Sequence, residues 1–350
     1  MNHGKPKILI GYTNVAALGM RLQKGFSEIG IKADFYSKDI VINKYDYKKD
    51  FLYKTIRKYD NSILSFFNKL YLLLKYLIKY KYFIYISTGS ALLSKKREIK
   101  LLQKFGKKFM IIYTGCDSRI PELVGKYKWN PCSDCNNEYK IFVGCDIPNK
   151  LSNLKNDVNL FDVILSPDEC SGFFEGKYIP AFFPINLDDY EIVSSRNNKI
   201  RILHAPSNED YKGTRYIDAA ISRLSSKYEF EYVKINNIKL DELYDEIKKS
   251  DIIIDQMLSG FYGLFAIESM AFGKPVFCYI HDDIWVRIKD NCPVINANVG
   301  NLKKKLEYYL DNTNELQKLG TKSREYVELY HNSGKIAKEY LSYLEKDRNN

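Results

Sequence analysis

The stretch Ser259-Gly-Phe-Tyr-Gly-Leu-Phe-Ala-Ile-Glu-Ser-Met-Ala-Phe-Gly-Lys-Pro-Val276 follows the apolar run Asp251 to Met257. It reads as a strand, a glycine-bearing turn, a short helix over Gly263 to Phe272, and a Gly-Lys-Pro turn into the next strand. Gly260 and Gly263 carry no Cβ, so a ligand can come close to the backbone there. The helix opening at Tyr262, Gly263 and Leu264 presents unpaired N–H groups and a partial positive charge, which suits a diphosphate. Glu268 lies about one turn further in, where its carboxylate can accept hydrogen bonds from two ribose hydroxyls. The plainer alternative is an αβ junction with a solvated Glu.

Working outward, strands and helices alternate on both sides of this stretch. Upstream come a strand at Ile200 to Ala205, a helix at Tyr216 to Ser226, a strand at Tyr228 to Ile235 and a helix at Leu240 to Lys249. Downstream, Pro275 to Ile280 is a strand, and Asn301 to Glu345 reads as helices only. The first half repeats the pattern. Lys7 to Tyr12 and Ile31 to Tyr36 flank a helix from Leu18 to Ile29, and Tyr82 to Ser87, Phe109 to Tyr113 and Phe161 to Ser166 are further buried-strand candidates. Alternation of this kind implies a parallel sheet in each half. The chain of 350 residues is long enough for two domains. A polar stretch from Ser194 to Lys199 marks the boundary, giving domains 1–188 and 199–320 and a C-terminal helical segment 321–350. In Ile63 to Leu77 the residues Ile63, Phe67, Leu70, Leu74 and Leu77 recur at helical spacing, with Lys69, Lys75 and Lys79 on the other side. That pattern predicts an amphipathic helix.

The segment ending at Val276 resembles the signature of the group 1 (retaining, GT-B) glycosyltransferases. That signature has a Glu, a seven-residue spacer, a second Glu, and a small-Gly-x-Pro-Val turn. Glu268 matches the second Glu, and Gly273, Pro275 and Val276 match the turn. The first Glu falls at Gly260, a departure from the pattern, with Asp255 or Gln256 as nearby carboxylate or amide substitutes. A second element resembles the same family. Ile202 to Thr214 leaves the first strand of domain two and carries Lys212 next to Gly213, as in the family loop whose basic residue binds the donor diphosphate. Ser207 and Thr214 are candidate phosphate donors beside it. The resemblance covers roughly residues 200–280.

The resemblance implies an α/β chain of GT-B type, with two Rossmann-like doubly wound domains facing a cleft and C-terminal helices folding back on domain one. It implies a nucleotide-diphosphate sugar as donor, Glu268 on the ribose, Lys212 on the leaving diphosphate, retention at the anomeric carbon, and no metal in the chemical step. A Lys ammonium can offset the charge that grows on the diphosphate as the glycosidic bond breaks. In domain one, Gly11 to Arg21 is not a G-x-G-x-x-G fingerprint, which argues against a nicotinamide domain. In the family this loop borders the cleft, so Asn14, Gly19 and Arg21 are candidates for donor or acceptor. Tyr113 to Arg119 resembles the family's Gly-x-Asp-x-Arg segment near the acceptor. Asp117 is placed there either to orient or deprotonate an acceptor hydroxyl, or to cap a turn or pair with Arg119.

Cys116, Cys132, Cys135 and Cys145 cluster in the sequence around one C-x-x-C knuckle. Four thiolates suit a structural Zn²⁺ pinning an irregular loop over Pro121 to Lys150; four free thiols are the alternative. No apolar stretch is long enough to span a bilayer, and no leader precedes the first strand, so a cytoplasmic chain is expected.

The net charge is +11, and from Asn43 to Met110 there are 17 Lys and Arg against 4 Asp and Glu. This basic region seeks an anionic partner, or is a solvated face. No recognition motif points to nucleic acid. The basic stretch instead suggests the inner membrane face, with a glycan or lipid-linked acceptor of the lipopolysaccharide or surface-polysaccharide kind. Two other classes fit: a nucleotide-sugar epimerase on the same fold, and a non-catalytic sugar-nucleotide or anionic-surface binder.

Overall fold

A computed structural model describes residues 7–13, 15–37, 53–55, 62–87, 93–193 and 198–346. Asn14, much of the basic stretch before residue 62, and residues 194–197 of the expected boundary lie outside the described residues. Among the described residues the first sheet has seven strands: β1 (Ile8–Tyr12), β2 (Ala33–Ser37), β3 (Tyr53–Thr55), β4 (Tyr82–Ile86), β5 (Lys108–Ile112), β6 (Val163–Ser166) and β7 (Ile179–Pro180). Their order is β3-β2-β1-β4-β5-β6-β7, and each pairing is parallel. The second sheet contains β8 (Ile200–His204), β9 (Phe230–Lys234), β10 (Ile252–Ile254), β11 (Val276–Cys278) and β12 (Ile295–Asn296). It runs β12-β11-β10-β8-β9, also parallel throughout.

Parallel pairing follows from the residues. β4, β10 and β11 are buried along their whole length, as strands covered by helices on both faces must be. In the first sheet Phe83, Tyr85, Phe109 and Ile111 face one apolar layer, while Ile84, Ile86, Met110 and Ile112 face the other. Each such buried side chain contributes roughly 1.5–3 kcal/mol. The second sheet is covered in the same way on its two faces.

In each sheet the strand order reverses once, between β1 and β4 and between β8 and β10. Crevices open at the carboxyl ends of such strands, where ligands of α/β sheets bind. The loops after β1, β5 and β6 meet the loops after β8 and β10 at a cleft between the sheets.

The strand read from Asp251 to Met257 is shorter, Ile252–Ile254, and by Met257 the N–H has turned to the Lys212 carbonyl at 2.9 Å. The helix at Ser62–Lys79 forms, and its expected apolar stripe is divided, Leu77 packing on the core. Leu73 and Tyr76 face the core, whereas Phe67, Leu70 and Leu74 are exposed. The expected irregular loop at 121–150 is instead three short helices, Pro121–Val124, Pro131–Asp134 and Asn137–Phe142, followed by the start of Ile147–Leu160. Side-chain caps organise it: Asn130, Asn136 and Asp146 accept the N–H groups of Ser133, Tyr139 and Asn149.

The last helix, Ser333–Glu345, lies against Leu18–Glu28 of the first half. Ile336, Ala337, Tyr340 and Leu344 share an apolar layer with Leu22 and Phe26, and the Ser333 hydroxyl donates to Glu28 at 2.9 Å. Gly25 permits this approach, since a Cβ there would stand 2.3 Å from the Ser333 carbonyl oxygen. Gly25→Val is expected to destabilise the protein by about 1–3 kcal/mol through overpacking, read as a lowered urea midpoint. An unchanged midpoint would show that this contact is dispensable.

Candidate active site

The cleft encloses about 520 Å³ and is lined from both sheets. Two elements expected to hold phosphate meet there. Lys212 ends the one-turn helix Glu209–Lys212, and Gly213 follows in the left-handed region at φ 73°. The helix Leu264–Ala271 opens at Gly263. Both point at Asp255, which is 1% exposed. Its Oδ1 lies 2.5 Å from the Lys212 ammonium, and its Oδ2 accepts the Gly263 N–H at 3.1 Å. Two anion-binding groups thus converge on one internal carboxylate. A Cβ on Gly263 would stand 3.7 Å from both Lys212 Nζ and Asp255 Oδ2, in ordinary van der Waals contact, so the backbone here lies directly against the pair.

Of the other expected donor residues, Ser207, Tyr262 and Leu264 line the cleft. The Tyr262 hydroxyl shares hydrogen bonds with Tyr326 at 2.9 Å and His331 Nε2 at 3.1 Å. Thr214 does not line it. Its hydroxyl bonds His204 Nε2 at 2.9 Å, and His204 Nδ1 meets the Ile254 carbonyl, so Thr214 anchors the start of its helix. Gly19 does not line it either. A Cβ there would fall 2.4 Å from the Phe35 ring, so this glycine serves helix-on-sheet packing.

Glu268 is buried behind the cleft wall. Its Oε1 accepts Arg21 Nη2 at 2.5 Å, Tyr244 at 3.0 Å and Tyr190 at 3.2 Å. Arg21 itself lines the cleft, and the pair ties the first helix of domain one to the signature helix of domain two. Gly260 has φ 89°, and a Cβ there would stand 2.1 Å from His281 Nε2. His281 is stacked on Tyr127 with ring centroids 3.5 Å apart. The Glu of the resembled signature therefore has no room at this position.

Asp117 lines the cleft, but its oxygens are engaged. They accept the N–H groups of Thr114 at 3.0 Å and Gly115 at 2.8 Å, and the Thr114 hydroxyl at 3.2 Å. It caps the turn after β5 and does not pair with Arg119. Arg119, 2% exposed, reaches across the domains instead. It donates to Tyr211 at 2.8 Å, Ser259 at 3.2 Å, Glu169 at 3.4 Å and Cys116 at 3.5 Å.

Sequence reasoning missed Glu169, Tyr211 and Ser259, because their loops meet only through the fold. The one signal was position: Glu169 follows the predicted strand ending at Ser166. Glu169 lines the cleft. Burial pushes its carboxyl up, and Arg119 pulls the other way. Its Oε2 has no hydrogen-bond partner among the described residues.

The four cysteines of the expected zinc set are neighbours, with Cys116, Cys135 and Cys145 all acting on Cys132, but their side chains are not drawn around one point. Among the described residues no group of three His, Cys, Asp or Glu side chains is disposed to hold a metal ion. Cys116 faces Arg119, Cys145 accepts from Lys150 at 3.7 Å, and Cys135 turns to the Asn136 carbonyl at 3.7 Å. Burial pushes the Cys132 thiol up to about 11. The seven cysteines are free.

No protein-family model matches this sequence, and no curated protein matches it either. Solved structures do match over the whole length. The sucrose-phosphate synthase of Thermosynechococcus elongatus aligns with a TM-score of 0.59 at 13% identity, covering 97% of this chain and 98% of that one. This chain has the GT-B fold. Anabaena HepE, in complex with UDP-glucose, aligns with a TM-score of 0.58 at 10% identity, covering 97% of this chain and 100% of HepE. A protein assigned as a UDP-N-acetylglucosamine 2-epimerase from Listeria monocytogenes aligns with a TM-score of 0.54 at 15% identity, covering 99% and 98%. Identities this low carry the fold and leave the activity to the site.

Two predictions follow from this geometry. Gly260→Glu is expected to lower the melting temperature, and adding His281→Ala to recover part of the loss by clearing the ring. No recovery would mean that the positive φ alone sets the cost. Burial lowers His204, His281 and His331 from 6.5 to about 4. The unfolded chain therefore binds more protons between those values, so stability should fall as pH drops from about 6.5 toward about 4. Thermal melts across that window check this, and a flat profile contradicts it.

Proposed function

We propose that the protein is a glycosyltransferase that moves a sugar from a nucleotide-diphosphate donor to a hydroxyl of a glycan or lipid-linked acceptor. The observation that carries the reading is the convergence of Lys212 and the Gly263 helix opening at the strand-order reversal of domain two, facing a two-domain cleft. HepE, which shares the fold, is held with UDP-glucose, so a UDP-sugar is the first donor to try.

In this reading the donor diphosphate binds beside the Lys212 ammonium and the helix opening at Gly263, while Asp255 stays paired with Lys212 and holds it in place. The ammonium then offsets the charge that builds on the leaving phosphate oxygen. The ribose lies toward Glu268, where it shares the carboxylate with Arg21, Tyr190 and Tyr244. Asp117 shapes the acceptor loop, and Glu169, across the cleft, accepts a hydrogen bond from the acceptor hydroxyl through Oε2. The finer part of the reading is retention at the anomeric carbon as a hexosyl transfer. The new bond forms on the face the phosphate leaves, and the departing phosphate oxygen takes the hydroxyl proton. Surface polysaccharide or lipopolysaccharide synthesis is the setting that a lipid-linked acceptor suggests.

A second reading, epimerisation of a nucleotide sugar, draws support from the Listeria structure. Turnover of a UDP-sugar with no acceptor present would favour it over transfer.

Thermal melts with UDP, GDP, ADP and their sugars test the donor site. One nucleotide diphosphate at about 100 times its Kd should add about 2.7 kcal/mol, and Lys212→Ala should abolish that shift. No shift with any nucleotide in the unaltered protein would overturn the reading. Given a working transfer assay, Glu169→Gln should lower kcat by about 10-fold through loss of a charge-assisted hydrogen bond while the nucleotide shift persists. Equal kcat would remove Glu169 from the acceptor site.

A further inference from the structure

The helix Ser62–Lys79 turns a large apolar face to solvent. Phe66, Phe67 and Tyr71 are each about 60% exposed, at 62%, 60% and 61%, with Leu70 at 42%, Leu74 at 51% and Ile78 at 88%. Residues 66, 70, 74 and 78 succeed one another at four-residue steps, a continuous ridge along one side. The opposite side supplies the core contacts, through Leu73 and Tyr76. The exposure is thus a property of a well-seated helix and not of a loose one.

The neighbouring helix Lys95–Gln103 packs on the same sheet face, where Ile99 and Leu102 share an apolar layer with Leu73 and Tyr76. Its outer side is cationic, with Lys96, Arg97 and Lys100 exposed, and Phe105, 60% exposed, stands just beyond its end. From Ser62 to Met110 there are 11 Lys and Arg and one acid, Glu98, and that acid is buried.

We infer that the outer face formed by helices 62–79 and 95–103 docks on an anionic lipid bilayer, with the Phe66–Ile78 ridge inserted among the acyl chains and the flanking cations at the headgroups. An apolar ridge of this extent is uncommon on a protein surface that faces only water. Phe and Leu on one side with Lys at the flanks is the pattern of a helix lying in a membrane interface. Among the described residues no helix is long and apolar enough to cross a membrane, so the helix lies on the surface. The charge decides against a second copy as occupant. A two-fold interface would set this face against itself and bring like-charged rims together, whereas anionic headgroups complement them. The inference is independent of what the cleft catalyses.

The full chain is sedimented with phosphatidylcholine vesicles, with and without phosphatidylglycerol, at low and high salt. Binding is expected only with phosphatidylglycerol, weakened by salt. The variant F66S/F67S/I78S should bind at least about 10-fold more weakly, with its melting temperature and any nucleotide shift unchanged. Indifference of the unaltered chain to phosphatidylglycerol overturns the inference. Equal binding by the triple variant also overturns it, because charge alone would then suffice. A concentration-dependent dimer dissolved by the same substitutions, with no vesicle binding, assigns the ridge to a second copy and overturns it as well.

Discussion

The guanidinium of Arg119 carries a charge that has no water to stabilise it. Burying such a group is unfavourable by several kcal/mol unless its hydrogen bonds are met by the protein. Its partners come from both halves of the chain: Glu169 and Cys116 from domain one, Tyr211 and Ser259 from domain two. Neither domain alone can satisfy it, so its hydrogen bonds couple the arrangement of the two sheets to the shape of the cleft. The short helices at 121–142 add contacts of the same sense. Asn136 reaches Asp210 at 2.6 Å, Asp134 pairs with Arg215 at 2.8 Å, and the Tyr127 hydroxyl donates to Asp283 at 2.8 Å. These outer pairs are more exposed, and exposed pairs are worth about 0–1 kcal/mol each, so they tune the closure that Arg119 anchors.

Two further buried charges repeat the arrangement around the cleft. Lys212 is held by Asp255, and Arg21 by Glu268. Each cation that faces the cleft therefore stands preorganised beside an internal carboxylate, with a donor geometry fixed before any ligand arrives. The pairing keeps the lysine from being stranded without a counter-charge in a low-dielectric site.

The architecture was largely legible. Short apolar runs separated by amphipathic segments located β1, β4, β5, β6, β8, β10 and β11, because a buried parallel strand is largely apolar, and alternation with helices located β2 and β9. The edge strands β3, β7 and β12 were not legible. They have two or three residues each, too few to show a period. The helix at 62–79 is legible as a helix, but which of its apolar residues meet the core is not, because apolar residues occur on both sides of it. Periodicity finds a stripe but cannot say whether sheet or solvent meets it. Gly19 and Gly260 looked alike as ligand-approach glycines, yet one makes room for Phe35 and the other for His281.

The sequence by itself determined the two-sheet plan, the Lys212 loop, the glycine-opened helix at Gly263, and the concentration of positive charge between the first strands. These features are local: a period, a turn residue, a charge count. The tertiary structure alone decided that Asp255 lies between Lys212 and Gly263 and that Glu268 belongs to Arg21. It also decided that Asp117 caps its own turn while Glu169 faces the cleft. The physical reason is common to all of these. A buried polar group takes whichever partner the packing of distant segments brings within hydrogen-bond reach, and that choice is not written in the spacing of neighbouring residues.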